Sequence, residues 1–513
     1  MSSNYSVKKR LLSSLAGNLL RSGMSFASGL LLARWLGPDD YGRMAFLIAS
    51  FMAFKQLLDM ASSHAFFTFL SQRTRSQRFI NYYWYWIALQ FVVSIALVAI
   101  LLPNYIMNTL FDGEERSLIV LAFVAVFMQH VVWASASRMA EAQRETVKLQ
   151  KLNTLVVLVH LIVVLGLFFI GKLAIPLLFV AIAFEWCIAG WVAAKMYKGI
   201  SADEESAILE GKDTASSVIS EFWFYCMPFI PYAWLTFVHD FADRWMLQHW
   251  GGATEQAYYA VARQFSLVAL IATSSILSIF WKEIAEAHHK NDLIKIRVLY
   301  EKTTKGLYFI SAFVAGAALP WASEILVLTV GAEYVAGGLT LMLMFLYPVH
   351  QTIGQICGST LLATGHSRLQ VVMGLIFMAT SLVVSYFMLA PPTAMVPGLG
   401  LASQGLAWKM VALQIIQVNI WLWVIAKLFD WNYDWSYQIV SLSLVLITGF
   451  LSKLITLQVM GLPLLVSMII ATIIYSLVVI GILYIIPWIA GVSRNELMRG
   501  WGKFIYILAF VKK

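Results

Sequence analysis

The chain has 513 residues, of which 60% are hydrophobic and only 12% charged, and its mean hydropathy is +0.77. Soluble globular chains carry about twice that share of charge, so a water-soluble enzyme is excluded and a polytopic membrane protein is left. The net charge of +9 sits in short segments between apolar runs, not in a basic domain, which argues against a nucleic-acid partner.

The opening MSSNYSVKKRLLSSLAGNLL joins a basic start to an apolar run, as a signal peptide does. It lacks a small-x-small cleavage pattern and stays apolar to Leu32, so it reads as a retained first span. A crossing helix needs about 20 apolar residues. On that measure about fourteen spans are predicted, near 14–33, 42–62, 80–102, 118–137, 152–171, 173–194, 218–239, 257–281, 304–325, 337–361, 369–390, 400–426, 437–457 and 464–489. Between the first two stands RWLGPDDYG, residues 34–42. Gly37 and Pro38 predict an abrupt turn there, with Asp39 and Asp40 placed to cap the next helix. Cys187, Cys226 and Cys357 all lie in apolar runs, so neither a disulfide framework nor a metal site is expected. The tail SRNELMRGWGKFIYILAFVKK, with Trp501 and Tyr506, reads as an interfacial amphipathic helix.

Lys and Arg concentrate in alternate loops, 26 of the 36 on one side. That bias predicts that both termini are cytoplasmic, and an even number of spans agrees with their sharing one side. Loops on the other side are short and leave no room for a soluble domain there.

The first turn has an echo. RWMLQHWGGATEQAYY, from 244, repeats its Arg-Trp entry, Gly turn and Tyr exit, with Gly251 set against Gly37 at an offset of about 214. KLQ at 148–150 and RLQ at 368–370 repeat at about 220. Six spans separate equivalent points, so the repeat is parallel, related by an axis along the membrane normal. The expected fold is all-α: two six-helix bundles, 1–212 and 213–427, related by a pseudo-twofold, then two further helices and the tail over 428–513.

ARWLGPDDYGRMAF resembles the signature that joins the first two spans of polysaccharide flippases in the multidrug/oligosaccharidyl-lipid/polysaccharide exporter superfamily. ADRWMLQHWGGATEQAYYAVA, VGAEYVAGG at 330–338 and LLATGHSRLQ at 361–370 are similar to its later landmarks, in order along nearly the whole chain. One departure is Ala257-Tyr258-Tyr259, where the family commonly has Gly-Tyr. The resemblance implies two bundles around a cavity that opens alternately to each side of a bacterial cytoplasmic membrane. It also implies a substrate: a glycan on a polyprenyl diphosphate, flipped for surface polysaccharides such as the O-antigen of lipopolysaccharide, with membrane lipid and polysaccharide-assembly proteins as partners.

Arg21, Lys55, Asp59, Glu185, Arg263, Lys409 and Lys453 fall inside predicted spans. A charge at the centre of a helix in lipid costs about 2.5–3.5 kcal/mol, so most must face a wet cavity or pair. Lys55 and Asp59, four apart, share a helix face and are placed to pair. Arg21 and Arg263 are the leading candidates for the diphosphate, which guanidinium grips bidentately. Lys409 is a weaker one, and Lys453 another. Glu185 is the candidate carrier of a coupling ion. Arg34 and Asp243 are candidates for an ion-paired outer gate beside Gly37 and Pro38. The histidines read as satisfied polar residues.

No Ser-His-Asp, paired-carboxylate or metal pattern appears, so no catalytic residue or cofactor is assigned. A membrane glycosyltransferase or polymerase is disfavoured by the short outer loops. A lipid II flippase and a cation-coupled drug exporter of the same superfamily stay open as alternatives.

Overall fold

The computed structural model describes residues 7–196 except 144, 213–494 except 461, and 496, without the side chains of 7–16, 271–276, 278, 279, 459 and 460. Most of the expected amphipathic tail, with Trp501 and Tyr506, lies outside the described residues. The described residues are all-helical. In chain order the helices are α1 (Val7–Asp59), α2 (Ser62–Gln72), α3 (Gln77–Ala96), α4 (Asn104–Leu110), α5 (Arg116–Phe127), α6 (Trp133–Ala142), α7 (Thr146–Phe169) and α8 (Ile175–Met196). There follow α9 (Ala215–Cys226), α10 (Ile230–His289), α11 (Leu293–Ala318), α12 (Ala322–Thr329), α13 (Gly338–Ala363), α14 (Ser367–Leu389), α15 (Ala402–Leu428), α16 (Ser436–Met460) and α17 (Leu464–Ile485).

Ten helical stretches among the described residues are long and apolar enough to cross a membrane, eleven if the bent pair Gly17–Asp59 with Ser62–Gln72 is one span. The other predicted spans lie on α9 and on the arms of α1 and α10, the last two each a long helix broken by one glycine. Gly37 has φ 76° and ψ 171°, Gly252 φ 83° and ψ 177°. Only glycine occupies that region without strain. The structural partner of Gly37 is therefore Gly252, one residue beyond the Gly251 expected from the sequence echo. Pro38 follows Gly37 as the first residue of the next arm, where its missing N–H is harmless.

By contacts the chain forms two compact units, one of residues 1–257 and 378–402, the other of 258–377 and 403–513. In the first unit the two glycine breaks touch. A Cβ on Gly42 would sit 1.8 Å from the Ala253 carbonyl oxygen, so no other residue fits. Phe46, Phe66, Phe79 and Phe179 are fully buried there. In the second unit α16 and α17 pack on α11. Cβ atoms on Gly316 and Gly449 would lie 2.7 Å from the Val445 oxygen and 2.0 Å from the Gly316 oxygen, which is backbone-close helix packing. The Tyr475 hydroxyl donates to the Phe313 carbonyl at 2.8 Å. Ile100, Phe169 and Phe184 are each at least 70% exposed, as lipid-facing side chains are.

Candidate functional site

The first unit holds a run of polar residues inside its apolar helices. α1 ends at Asp59, and the chain restarts as α2 at Ser62, bent by 53°. Met60 (φ 39°) and Ala61 (φ 66°) are left-handed between them. A break in an apolar helix frees backbone groups that must find other partners. Two side chains replace the lost helical bonds. The Asp59 carboxylate accepts from the Ser63 backbone N–H (2.8 Å), the Ser63 hydroxyl (2.9 Å) and the Ser62 hydroxyl (3.3 Å). The Gln90 amide of α3 donates to the Leu58 carbonyl at 2.6 Å. The Asp59 carboxylate thus caps α2 through Ser62 and Ser63, its first two residues, and no ion pair joins it to Lys55, the partner expected from the sequence.

Lys55 lies one turn before the break, in a small hollow lined by Phe51, Phe54, Phe123, Phe127 and other apolar groups. Asp59 and Arg138 of α6 act on it electrostatically, and Lys55 in turn acts on His64 and His130. His130 stands on a π-helical turn, Met128–Val132, between α5 and α6. Such turns concentrate at functional sites. Lys55, His64, His130 and Arg138 thus share one region of the first unit near the helix break, with the Asp59 carboxylate among them. Arg138 reads as a loop residue in the sequence, yet it sits near the end of a helical stretch, Arg116–Ala142, that is long and apolar enough to cross a membrane. On α1, Arg21 has a buried Nε that makes no hydrogen bond.

Elsewhere in this unit Glu185 of α8 faces His160 of α7, Oε2 to Nδ1, at 2.9 Å. Its Oε1 is buried and makes no hydrogen bond. Asp243 is buried and accepts from the Ser385 hydroxyl at 2.5 Å, while Arg34 lies on an exposed face. One turn before Asp243, His239 Nε2 meets the Ser381 hydroxyl at 3.0 Å. Beside the Gly37 break, the two-pronged ion pair joins Arg43 to Glu114, with both contacts at 2.7 Å, and Arg43 also reaches Asp40 at 3.3 Å.

In the second unit Arg263 is exposed on α10, near Tyr347. Lys409 is 1% exposed on α15, so its ammonium does not reach outward along its stem to an interface. Lys453 donates to Glu324 (2.5 Å) and to the Pro320 carbonyl (2.7 Å) and lies over the Trp321 ring, a structural tie between α16 and the start of α12. Sequence reasoning missed Gln90, Arg138 and the His160–Glu185 contact. The run Asp-Met-Ala-Ser-Ser at 59–63, an acidic residue ahead of two serines, was the available sign of a helix restart.

Solved structures share this fold. Lipid II flippase MurJ in an inward closed conformation matches with a TM-score of 0.67 at 13% identity, over 92% of this chain and 98% of its own. An inward-facing multidrug resistance MATE family transporter of the MOP superfamily matches with a TM-score of 0.60 at 11% identity, over 82% of this chain and 100% of its own. A MOP superfamily transporter from Pyrococcus furiosus, described by the reverse polarity of its binding pocket, gives 0.54 at 11%, over 83% and 97%. No protein-family profile and no curated protein sequence matches the chain. The chain is a multi-pass helical membrane protein with the fold of these transporters.

Proposed function

We propose that this chain belongs to the same superfamily and is a flippase for polyprenyl-diphosphate-linked oligosaccharide repeat units. It works by alternating access of the bundles 1–212 and 213–427 in a bacterial cytoplasmic membrane, with both termini in the cytoplasm. The observation that carries this reading is the group of Lys55, His64, His130 and Arg138 at a break between membrane helices. A lipid diphosphate must take its charge through hydrocarbon, and the Lys55 and Arg138 cations, with imidazole hydrogen-bonding groups beside them, offset part of that penalty. Broken helices at membrane depth are where transporters commonly place such sites. Arg21 in the first unit, and separately Arg263 and Lys409 in the second, are further candidates for substrate contact, Glu185 with His160 carries the coupling ion, and Arg34 with Asp243 gates the outer end. The likeness to MurJ supports a lipid-linked substrate and keeps lipid II as the second reading. A drug exporter, which takes cations, fits a basic cluster less well.

Reconstitution into proteoliposomes tests this. A polyprenyl-diphosphate oligosaccharide, lipid II and a cationic dye are supplied in parallel, and the share that crosses is read with a membrane-impermeant quencher. We expect the oligosaccharide lipid to cross, and Lys55→Ala, Arg138→Ala, Arg21→Ala and Arg263→Ala each to slow it more than Lys453→Ala. Movement of the dye alone would refute the flippase reading, and movement of lipid II alone would shift it to the second one.

A further inference from the structure

The second unit contains a cavity of about 370 Å³ that the cationic site does not use. It is lined by Gln351 and Gln355 of α13, Gln370 of α14, and Gln414, Gln417 and Trp421 of α15. The spacing places each set on one helix face: 351 and 355 are one turn apart on α13, and 414, 417 and 421 follow at three and four on α15. None of the residues lining the cavity is charged. It is therefore neither an anion site nor a cation site, and five amides make it a poor bed for an acyl chain.

The cavity is kept open by missing side chains. A Cβ on Gly354 would meet Gln414 Nε2 at 3.0 Å, and one on Gly358 would meet Gln370 Nε2 at 3.3 Å and the Trp421 ring at 3.5 Å. The polar lining is also incompletely bonded. Gln355 Oε1, Gln370 Oε1 and Trp421 Nε1 are buried and make no hydrogen bond, although Trp421 as a whole is only 9% exposed. Buried polar atoms without partners are rare and call for an explanation.

We propose that this cavity is a saccharide subsite that takes one neutral, hydroxylated sugar ring. An amide offers a donor pair and an acceptor, which matches the mixed donors and acceptors of vicinal hydroxyls. An indole supplies a flat apolar face with an N–H at its edge, which suits the two faces of a pyranose. The volume lies at the lower end of ligand pockets, roughly 300–1,000 Å³. The position is apt as well. The lining lies in the last turns of α13, the first of α14 and the second half of α15, beside the 364–366 connection. The Lys and Arg bias assigns that end to the cytoplasm, where a glycan waits before it is flipped. This subsite rests on the flippase reading only for its biological ligand, since binding of a sugar is measured without transport.

The test uses the full-length protein in nanodiscs with three soluble probes: methyl glucoside, methyl galactoside and methyl N-acetylglucosaminide. Saturation-transfer NMR reads binding. We expect transfer to at least one glycoside, reduced at least fivefold in Gln355→Leu and in Gln370→Leu and retained in Gln77→Leu, a change of the same type on an exposed stretch of α3. A diazirine glycoside should also crosslink the wild-type chain within 351–362 or 414–421, which needs no variant to fold. Absence of transfer from all three probes, transfer unchanged in both pocket variants, or crosslinks only elsewhere would each overturn the proposal. Any of these three outcomes alongside intact oligosaccharide-lipid transport rejects the subsite and leaves the flippase. Glycoside binding at the glutamines in a protein that moves no sugar lipid keeps the subsite and rejects the flippase.

Discussion

The Asp59 carboxylate accepts hydrogen bonds from both the backbone N–H and the hydroxyl of Ser63, at 2.8 and 2.9 Å, and so bridges the break between α1 and α2. A capping carboxylate of this kind contributes about 1–2 kcal/mol. Asp59→Ala should therefore lower the melting temperature and the yield of monodisperse protein, measured by fluorescence-detected size exclusion. Asp59→Asn keeps an acceptor and should recover most of the loss. Lys55→Ala, which takes nothing from the cap, should leave yield near wild type while transport falls. A transport defect in Asp59→Asn at normal stability would place Asp59 in the substrate path instead.

The glycine break makes a contrasting pair of variants. Gly42→Ala drives a methyl group into the Ala253 carbonyl, and Gly37→Val asks a β-branched residue to hold φ 76°. Both should sharply reduce folded protein in the membrane. Arg34→Ala, on an exposed face, should fold normally. If Arg34 and Asp243 form the outer gate, Arg34→Ala changes transport at constant protein level, and Arg34→Asp with Asp243→Arg restores part of it. A silent Arg34→Ala and no rescue by the swap would leave only the turn.

Arg75 ties the α2–α3 connection to the start of α9. Its guanidinium, with a side chain 1% exposed, binds Glu221 at 2.5 and 2.8 Å and Asp213 at 3.4 Å, and lies over the Phe79 ring at 4.4 Å. Removing one member of such a buried set leaves uncompensated charge and costs about 3–5 kcal/mol. Arg75→Ala should show that loss in thermal unfolding, and Arg75→Lys much of it, because an ammonium lacks the two-pronged grip. An unchanged unfolding temperature in Arg75→Ala would show that water compensates the acids.

Topology is open to direct labelling. In a chain freed of its own cysteines, a cysteine at 39 or 112 should react with an impermeant thiol reagent in intact cells, and one at 290 only after lysis. Strong labelling of position 290 in intact cells would reverse the orientation.

Glu496 offers a pH test. The Lys302 ammonium at 2.6 Å, followed by the Ser493 backbone and hydroxyl, holds its carboxyl down to about 2, against an ordinary 4.5. A lowered folded pKa means the contact contributes fully above about pH 4.5 and is lost as pH falls toward 2. The effect of Glu496→Gln on hydrogen exchange at 487–494 should thus be the same at pH 8 and pH 6. A difference between those two values would assign the holding force to another group.

Much of this protein was legible in its sequence, because the deciding forces are local. Hydrocarbon offers backbone groups no partners, so a spanning chain of this kind is helical and apolar, and hydropathy marked the spans. Gly37, with Pro38 behind it, announced the first break, and the second was missed by one residue only because Gly251 and Gly252 stand side by side. The tertiary structure decided which charges meet. Arg43 could have paired within its own turn, and its main partner, Glu114, lies 71 positions away. Glu185 finds His160 across 25 residues, and the glutamine-lined cavity assembles from three helices. The break at Met60 and Ala61 shows the reason most clearly. Neither residue favours a left-handed backbone, and no Gly or Pro marks the place. The conformation persists because Ser63 and Leu58 find side-chain partners in Asp59 and Gln90, and the Gln90 partner exists only once α3 has packed against the broken helix.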